Sequence, residues 1–173
     1  MSLAAHAPEM EAHIHLTEEA LVAANVNPNT YLATDYLNHF NEVEMLIEML
    51  PQMPECVEDV LSWAPKSYPD HFEGSGFNGR EVVIAAYAAA RESVRRDFDS
   101  TIERLNEVVQ CGQAGLQQVN ADKDRLEVLA PELVGQIRPL LERARSIVNG
   151  ANEAPSFSET PSDAQSDIDA LFS

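Results

Sequence analysis

The chain has 173 residues, of which 29 are acidic and 11 basic, so its formal net charge is -18. Such a charge repels nucleic acid and anionic membrane surfaces, which excludes polyanion-binding proteins and favours partners with basic patches. Hydrophobic residues make up 45% of the chain but aromatic residues only 6%, a balance typical of helical bundles. We therefore expect an all-α protein with one helical bundle domain and terminal tails.

The two cysteines, Cys56 and Cys111, are too few for a disulfide framework. We expect both to be small buried residues of a protein from a reducing compartment. No apolar run is long enough to span a bilayer, and the N-terminal segment lacks the charge pattern of a signal peptide. These features predict a cytoplasmic protein without membrane insertion.

Residues 1–33 are predicted to form an irregular N-terminal arm. The arm contains a His-x-His pair, His13 and His15, which can ligate a metal ion if two further ligands come from elsewhere. No neighbouring residue supplies such a ligand at a recognised spacing. We therefore expect an exposed arm and assign no metal ligands in this chain.

The first predicted helix covers about 34–50 and ends at Pro51. Its apolar residues recur with a 4-3-4-3 spacing at Tyr36, Phe40, Val43, Ile47 and Leu50. Asp35, His39 and Glu42 share another face and could form half of a carboxylate metal site in a bundle. Such a site needs a matching Glu-x-x-His motif on a second helix, and the sequence contains none. We interpret this face as solvated.

A shorter helix is predicted at about 54–64, followed by a loop over 65–80 that is rich in proline and glycine. The loop contains His71 between two carboxylates, an arrangement that can support acid–base chemistry but is weak evidence alone. We expect Phe72 and Phe77 to pin the loop to the core.

The dominant pattern of the sequence is an apolar repeat between residues 98 and 147. It has a strict 4-3 spacing through Phe98, Ile102, Leu105, Val109, Gly112, Leu116, Val119, Lys123, Leu126, Ala130, Leu133, Ile137, Leu140, Ala144 and Ile147. Only two of these positions, Gly112 and Lys123, are not apolar. A seam this narrow is typical of a helix that packs along another helix, and it suggests a homodimer.

The repeat is predicted to form two helices, about 99–120 and 125–149, preceded by another helix at about 80–95. A capping box, Ser100 to Glu103, marks the expected start of the first. A polar break follows residue 119, and Pro131 suits a first helical turn or a kink better than a helix interior. The two helices either fold back as a hairpin or lie nearly collinear, with a single helix kinked at Pro131 as the alternative.

The end of the chain changes character. Residues 150–165 are rich in proline, serine and acidic residues and are predicted to be a disordered linker. Residues 166–173 regain apolar side chains at helical spacing, namely Ile168, Leu171 and Phe172. A short amphipathic segment on an acidic tether is typical of a helix that docks into a partner's groove.

The terminal sequence Ser166-Asp-Ile-Asp-Ala-Leu-Phe172 resembles the terminal helix of the CheZ-type chemotaxis phosphatases. Those proteins are antiparallel helical hairpins that dimerise into a four-helix bundle and bind the phosphorylated response regulator CheY. The resemblance implies that the partner-binding residues are Asp167, Ile168, Asp169, Leu171 and Phe172. A very similar peptide lets the flagellar switch protein FliM bind the same regulator, so the peptide indicates binding and not chemistry.

A second motif, Glu132-Leu-Val-Gly-Gln136-Ile, resembles the active-site helix of the same family, which reads Asp-Leu-Thr-Gly-Gln followed by an aliphatic residue. The resemblance implies that Gln136 positions the water that attacks the aspartyl phosphate and that Glu132 contacts a lysine of the regulator. The magnesium ion belongs to the partner, so this chain needs no cofactor. Glutamate replaces the family's aspartate, and residues 1–97 show no such resemblance.

Other interpretations remain open at the level of the sequence. The chain could be a non-catalytic adaptor that tethers a receiver domain through its tail. Residues 105–116 also resemble the Gln/Ala-rich helices of phasins, structural proteins that coat storage granules. Glu103-x-x-Asn106 has the spacing of the active pair in CheC/CheX-type phosphatases, but that family is α/β and chance explains the match.

Overall fold

The structure is a computed structural model that describes residues 15–119 and 121–151. In this part of the chain there are seven α-helices, two short 3-10 helices and no strand, which confirms the predicted all-α helical bundle. The helices are α1 (Glu18–Ala23), α2 (Asn38–Met49), α3 (Val57–Ser62), α4 (Tyr68–Gly74), α5 (Arg80–Ala89), α6 (Glu92–Val119) and α7 (Lys123–Val148). The 3-10 helices Thr34–Leu37 and Pro54–Cys56 lead directly into α2 and α3.

Helices α6 and α7 form an antiparallel hairpin. Gly112 of α6 lies against Leu133 of α7, and Gly115 lies against Leu129, so position numbers rise along one helix as they fall along the other. The hairpin alternative is therefore correct, and the collinear and single-helix alternatives are wrong. Pro131 lies inside α7, beyond its first turn.

The apolar repeat supplies most of the hairpin's interior. The expected seam residues are buried, with one exception, at Ile102, Leu105, Val109, Leu116, Leu133 and Ile137. The exception is Leu140, which is half-buried, while its neighbour Leu141 is buried in its place. A straight α-helix drifts by about 20° per heptad against a seven-residue repeat, so the buried stripe moves over by one residue.

Helix α2 covers the other side of the hairpin and packs on α7. Its side chains Phe40, Val43 and Ile47 are fully buried, as the 4-3 spacing predicted. At the surface Arg138 of α7 donates a hydrogen bond to Glu44 at 2.9 Å. The apolar seam is thus covered within one chain, and its burial does not require a second copy.

Helix α3 is attached to α6 by a side-chain amide. Gln113 Nε2 donates hydrogen bonds to the carbonyl oxygens of Val60 and Trp63, at 2.8 and 2.7 Å. The Val60 carbonyl also accepts from Trp63 N at 3.2 Å, so Gln113 is its second donor, and Gln113 supplies a donor to the Trp63 carbonyl at the end of the helix. This contact fixes the end of α3 against the middle of α6.

The N-terminal arm departs from the prediction of irregular structure. Helix α1 begins at an N-cap in which the hydroxyl of Thr17 accepts a hydrogen bond from Ala20 N, and its Leu21 is buried in the core. Thr30 donates a 2.6 Å hydrogen bond to Val148 O, which fixes the arm to the end of α7. Residues 15–33 therefore belong to the bundle, and His15 is exposed.

Three smaller expectations were also wrong. The predicted loop over 65–80 contains α4, whose Ser67 side chain caps the helix by accepting from Asp70 N at 3.2 Å. The break between α5 and α6 falls at residues 90–91, so the Ser100 capping box lies inside α6. Cys111 is exposed, although Cys56 is buried as expected.

Two predictions for the terminal region lie outside the described residues. They are the disordered linker, of which only residues 150 and 151 are described, and the partner-binding peptide 166–173.

Candidate functional site

Glu132 and Gln136 lie on the exposed surface of α7, one helical turn apart. The residues that follow each of them, Leu133 and Ile137, are buried in the hairpin and fix the rotation of the helix. Asp122 caps α7 by accepting from Arg125 N at 3.2 Å. The carboxylate and the amide therefore project from a helix whose position is set by the core.

The spacing between α6 and α7 beside this pair depends on a glycine. A Cβ atom at Gly112 would lie 2.8 Å from both terminal carbons of Leu133, closer than atoms in contact normally approach. Only glycine permits this approach without movement of a buried leucine. The distance of Glu132 and Gln136 from α6 therefore depends partly on Gly112.

A groove, which we call the proline groove, runs along the flank of α7 that adjoins Glu132 and Gln136. It has a volume of about 460 Å³ and is lined by Glu48, Pro131, Val134, Gly135, Arg138, Pro139 and Glu142. A Cβ atom at Gly135 would meet no atom within 4 Å, so the groove is open there. Proline has no N–H, so the carbonyls of Glu127 and Gly135 lack their usual helical donors.

Arg138 lines the proline groove on the side that faces α2. It donates to Glu44 and lies 3.5 Å from Glu48, so two carboxylates of α2 hold its guanidinium. The hydrogen bond and charge of Glu44 raise the pKa of Arg138 above its usual value. Arg138 is thus held by α2, while Glu132 and Gln136 are exposed and share their face of α7 with Arg143, two turns after Gln136.

His39 is a core residue and does not lie on a solvated face as predicted. Its ring is stacked on Trp63 at a centroid distance of 4.7 Å, and Nε2 lies 2.9 Å from Ala64 O. Trp63 Nε1 in turn donates to His39 O at 3.1 Å. Burial lowers the pKa of His39, which keeps its ring neutral.

His71 completes this cluster from α4. Its ring centroid lies 6.1 Å from that of His39, and its pKa is also lowered, first by burial and then by Lys66. Phe72 beside it is buried and contacts Phe77, which confirms that both phenylalanines hold this segment to the core. Among residues 15–119 and 121–151, no three His, Cys, Asp or Glu side chains are grouped to hold a metal ion.

Sequence reasoning missed a second concave site, which we call the aromatic cleft. It has a volume of about 290 Å³ and lies between the α3–α4 connection, α5 and α6. Its walls include Tyr36, Tyr68, Tyr87 and Phe98, and its polar groups include Asp99, Glu103 and Asn106. The available signal was the spacing of these three polar residues on one face of α6, of which the sequence analysis noted only Glu103 and Asn106, without connecting them to a cleft.

No family model, curated protein or solved structure matches this chain. Within the described part of the chain, none of the helices combines the length and the apolar character needed to cross a membrane.

Proposed function

We propose that this protein binds a phosphorylated CheY-like receiver domain and accelerates loss of its phosphoryl group. The observation that carries the proposal is the placement of Glu132 and Gln136 on the exposed face of a rigid helical hairpin. An aspartyl phosphate is already activated by the magnesium ion of its own domain. A second protein therefore needs only to deliver and orient one water molecule.

The two side chains have different roles in this reaction. The Gln136 amide has both a donor and an acceptor, so it can hold a water in line with the phosphorus atom. Glu132 is a carboxylate and pairs with a lysine of the receiver, which places Gln136 over the phosphate. Because this chain supplies no nucleophile, the reaction leaves it covalently unchanged.

The C-terminal segment supplies most of the affinity. Ile168, Leu171 and Phe172 enter an apolar groove of the receiver, where buried apolar side chains contribute most of the binding energy. Residues 150–173 contain five acidic residues and no lysine or arginine, so Asp163, Asp167 and Asp169 meet basic residues at the rim. Such rim charges chiefly raise the association rate.

Deletion of residues 163–173 tests the binding step. We expect the truncated protein to lose its affinity for the phosphorylated receiver in a calorimetric titration, because the apolar contacts are removed. In the matched control, Glu153→Gln with Glu159→Gln removes two charges from the linker and leaves the peptide intact. Equal affinity of the truncated and full-length proteins would contradict the proposal.

The resemblance also implies a homodimer, which stays a prediction. The apolar seam no longer argues for a second copy, because it is covered within one chain. A non-catalytic adaptor is the competing outcome of the activity measurement. The granule-coating alternative is not favoured. Helix α6 buries its apolar seam against α7, so little apolar surface of α6 is exposed to bind a storage granule.

A further inference from the structure

We propose that the aromatic cleft binds a primary ammonium group carried on a small apolar body. This site is separate from Glu132 and Gln136 and does not depend on the proposed function. The inference rests on three properties of the cleft: preformed aromatic walls, a row of hydrogen-bond acceptors, and a volume suited to a small ligand.

The walls of the cleft are fixed by contacts within the protein. Tyr36 donates its hydroxyl hydrogen to Lys66 O at 2.7 Å, and the hydroxyl of Tyr68 accepts from Ala33 N at 2.8 Å. The rings of Tyr68 and Tyr87 are stacked with centroids 4.4 Å apart. These groups need no rearrangement to receive a ligand, which lowers the entropic cost of binding.

The acceptors come from one face of α6. Asp99 Oδ1 already accepts from the Tyr87 hydroxyl at 2.7 Å, which orients the carboxylate and leaves Oδ2 for another donor. Glu103 is exposed at the rim, one turn along the helix. Asn106 Oδ1 is buried and makes no hydrogen bond to any described residue. This oxygen is closed to a donor the size of a water molecule, so the acceptors that the cleft offers to a ligand are the two carboxylates, Asp99 and Glu103.

A primary ammonium ion can donate to both carboxylates and keep a third N–H group for water. A quaternary ammonium ion has no N–H to donate to these carboxylates, while an anionic ligand would face Asp99 and Glu103. Low-dielectric walls strengthen the field of Asp99 inside the cleft, whereas solvent screens Glu103 at the rim. The volume of about 290 Å³ lies at the lower end of ligand sites, which suits a small amine and not a nucleotide.

Basic side chains also lie near these acceptors. Lys66 lines the cleft itself, whereas Arg95 and Arg96 lie in an adjoining depression with Glu92. Arg95 is held elsewhere, because it donates to Ala88 O at 3.1 Å and lies 6.0 Å from the Tyr87 ring centre. Lys66 is therefore the competing cation inside the cleft, and Arg96 is a second one beside Asp99 and Glu103 in the adjoining depression. The position of Lys66 fixes the sign of one test.

The direct test titrates phenethylammonium into the full-length protein and follows amide chemical shifts by NMR. We expect saturable shifts confined to the cleft, and none with phenethyl alcohol, the neutral ligand of the same shape. N-acetyl-lysine amide serves as a second probe, whose stronger binding would identify a partner's lysine side chain as the source of the ammonium group. Absence of saturable binding by both amines, or equal binding of the alcohol, would overturn the proposal.

Variants assign the binding to individual groups. Glu103→Gln should weaken phenethylammonium binding about tenfold, since it removes a charged acceptor. Lys66→Met should strengthen it severalfold by removing the competing cation, whereas an anionic ligand would be weakened. Glu107→Gln removes the same charge from an exposed position of α6 outside the cleft and should have no effect. Equal losses in Glu103→Gln and Glu107→Gln would reduce the effect to net charge and overturn the proposed site.

Discussion

At the scale of single residues, Gln136 separates chemistry from binding in the proposed reaction. Its amide would act on the attacking water only in the transition state, so its loss should change turnover and not affinity. We expect Gln136→Ala to slow receiver dephosphorylation by about 10²–10³, the usual cost of losing one positioning hydrogen bond. The decay of phosphorylated receiver at saturating protein measures this effect. Gln117→Ala, the same change on the exposed face of α6, should keep full activity.

Glu132 should behave differently, because its role is to pair with the receiver. We expect Glu132→Ala to raise the half-saturating receiver concentration more than it lowers the maximal rate. Glu132→Asp restores the residue of the resembling family and should keep or raise activity. The same decay assay, run over a range of receiver concentrations, separates the two parameters. A larger loss in the maximal rate than in half-saturation would contradict the docking role.

Two histidines, the buried His39 and the half-buried His71, predict how stability depends on pH. Burial lowers the pKa of both His39 and His71, while histidines of the unfolded chain titrate near about 6.5. The unfolded state therefore binds more protons below that pH, so stability is fully present above it and is lost as pH falls. We expect urea unfolding to show a lower free energy of unfolding at pH 5.5 than at pH 7.5.

The neighbouring charges and a matched pair of variants define this test. Lys66 lowers both pKa values further, and Asp35 and Glu42 act in the opposite direction. His71→Gln should remove part of the pH dependence. His15→Gln, at an exposed histidine, should leave it unchanged. An unaltered dependence in His71→Gln would show that other groups cause it.

At the scale of helices, two glycines make a matched test of the α6–α7 hairpin. Replacing an exposed helical glycine by alanine stabilises a protein by about 1 kcal/mol, and Gly135 has open space for the added methyl group. At Gly112 the methyl group would meet Leu133, and such overpacking costs about 1–3 kcal/mol. We expect Gly135→Ala to be more stable than Gly112→Ala by about 2 kcal/mol in chemical denaturation. Equal stability of the two variants would contradict the close helix packing.

The long helices could be predicted because their apolar residues recur over many turns. The exact buried residue late in α7, Leu141 in place of Leu140, could not, since it depends on helix drift against the seven-residue repeat. The prediction of a loop over 65–80 was wrong because it relied on the glycines and prolines of that segment. The capping pair Ser67 and Asp70 argued for a helix there, with Pro69 in the tolerated first turn.

The candidate sites also differ in how far the sequence predicts them. The exposure of Glu132 and Gln136 follows from their positions outside the apolar repeat, which the sequence displays. The burial of His39 against Trp63 depends on α3 folding over α2 and leaves no periodic signal. The aromatic cleft joins Tyr36, Tyr68 and Tyr87 from distant parts of the chain, so only the tertiary structure reveals it.

At the scale of the whole molecule, the charge of -18 and the acidic C-terminal segment both favour a basic partner. Electrostatic attraction raises the rate of encounter and weakens as salt screens it, whereas the proposed apolar contacts of the segment would not weaken in this way. The hairpin then presents Glu132 and Gln136 on a surface that does not have to reorganise. Binding and chemistry are thus assigned to different parts of one chain.

The proposed activity is tested most directly by the lifetime of a phosphorylated CheY-like receiver in the presence of the full-length protein. We predict that substoichiometric protein shortens this lifetime, and that Gln136→Ala binds the receiver equally well without shortening it. A wild-type protein that binds the phosphorylated receiver and leaves its lifetime unchanged would contradict the phosphatase proposal and establish the chain as an adaptor.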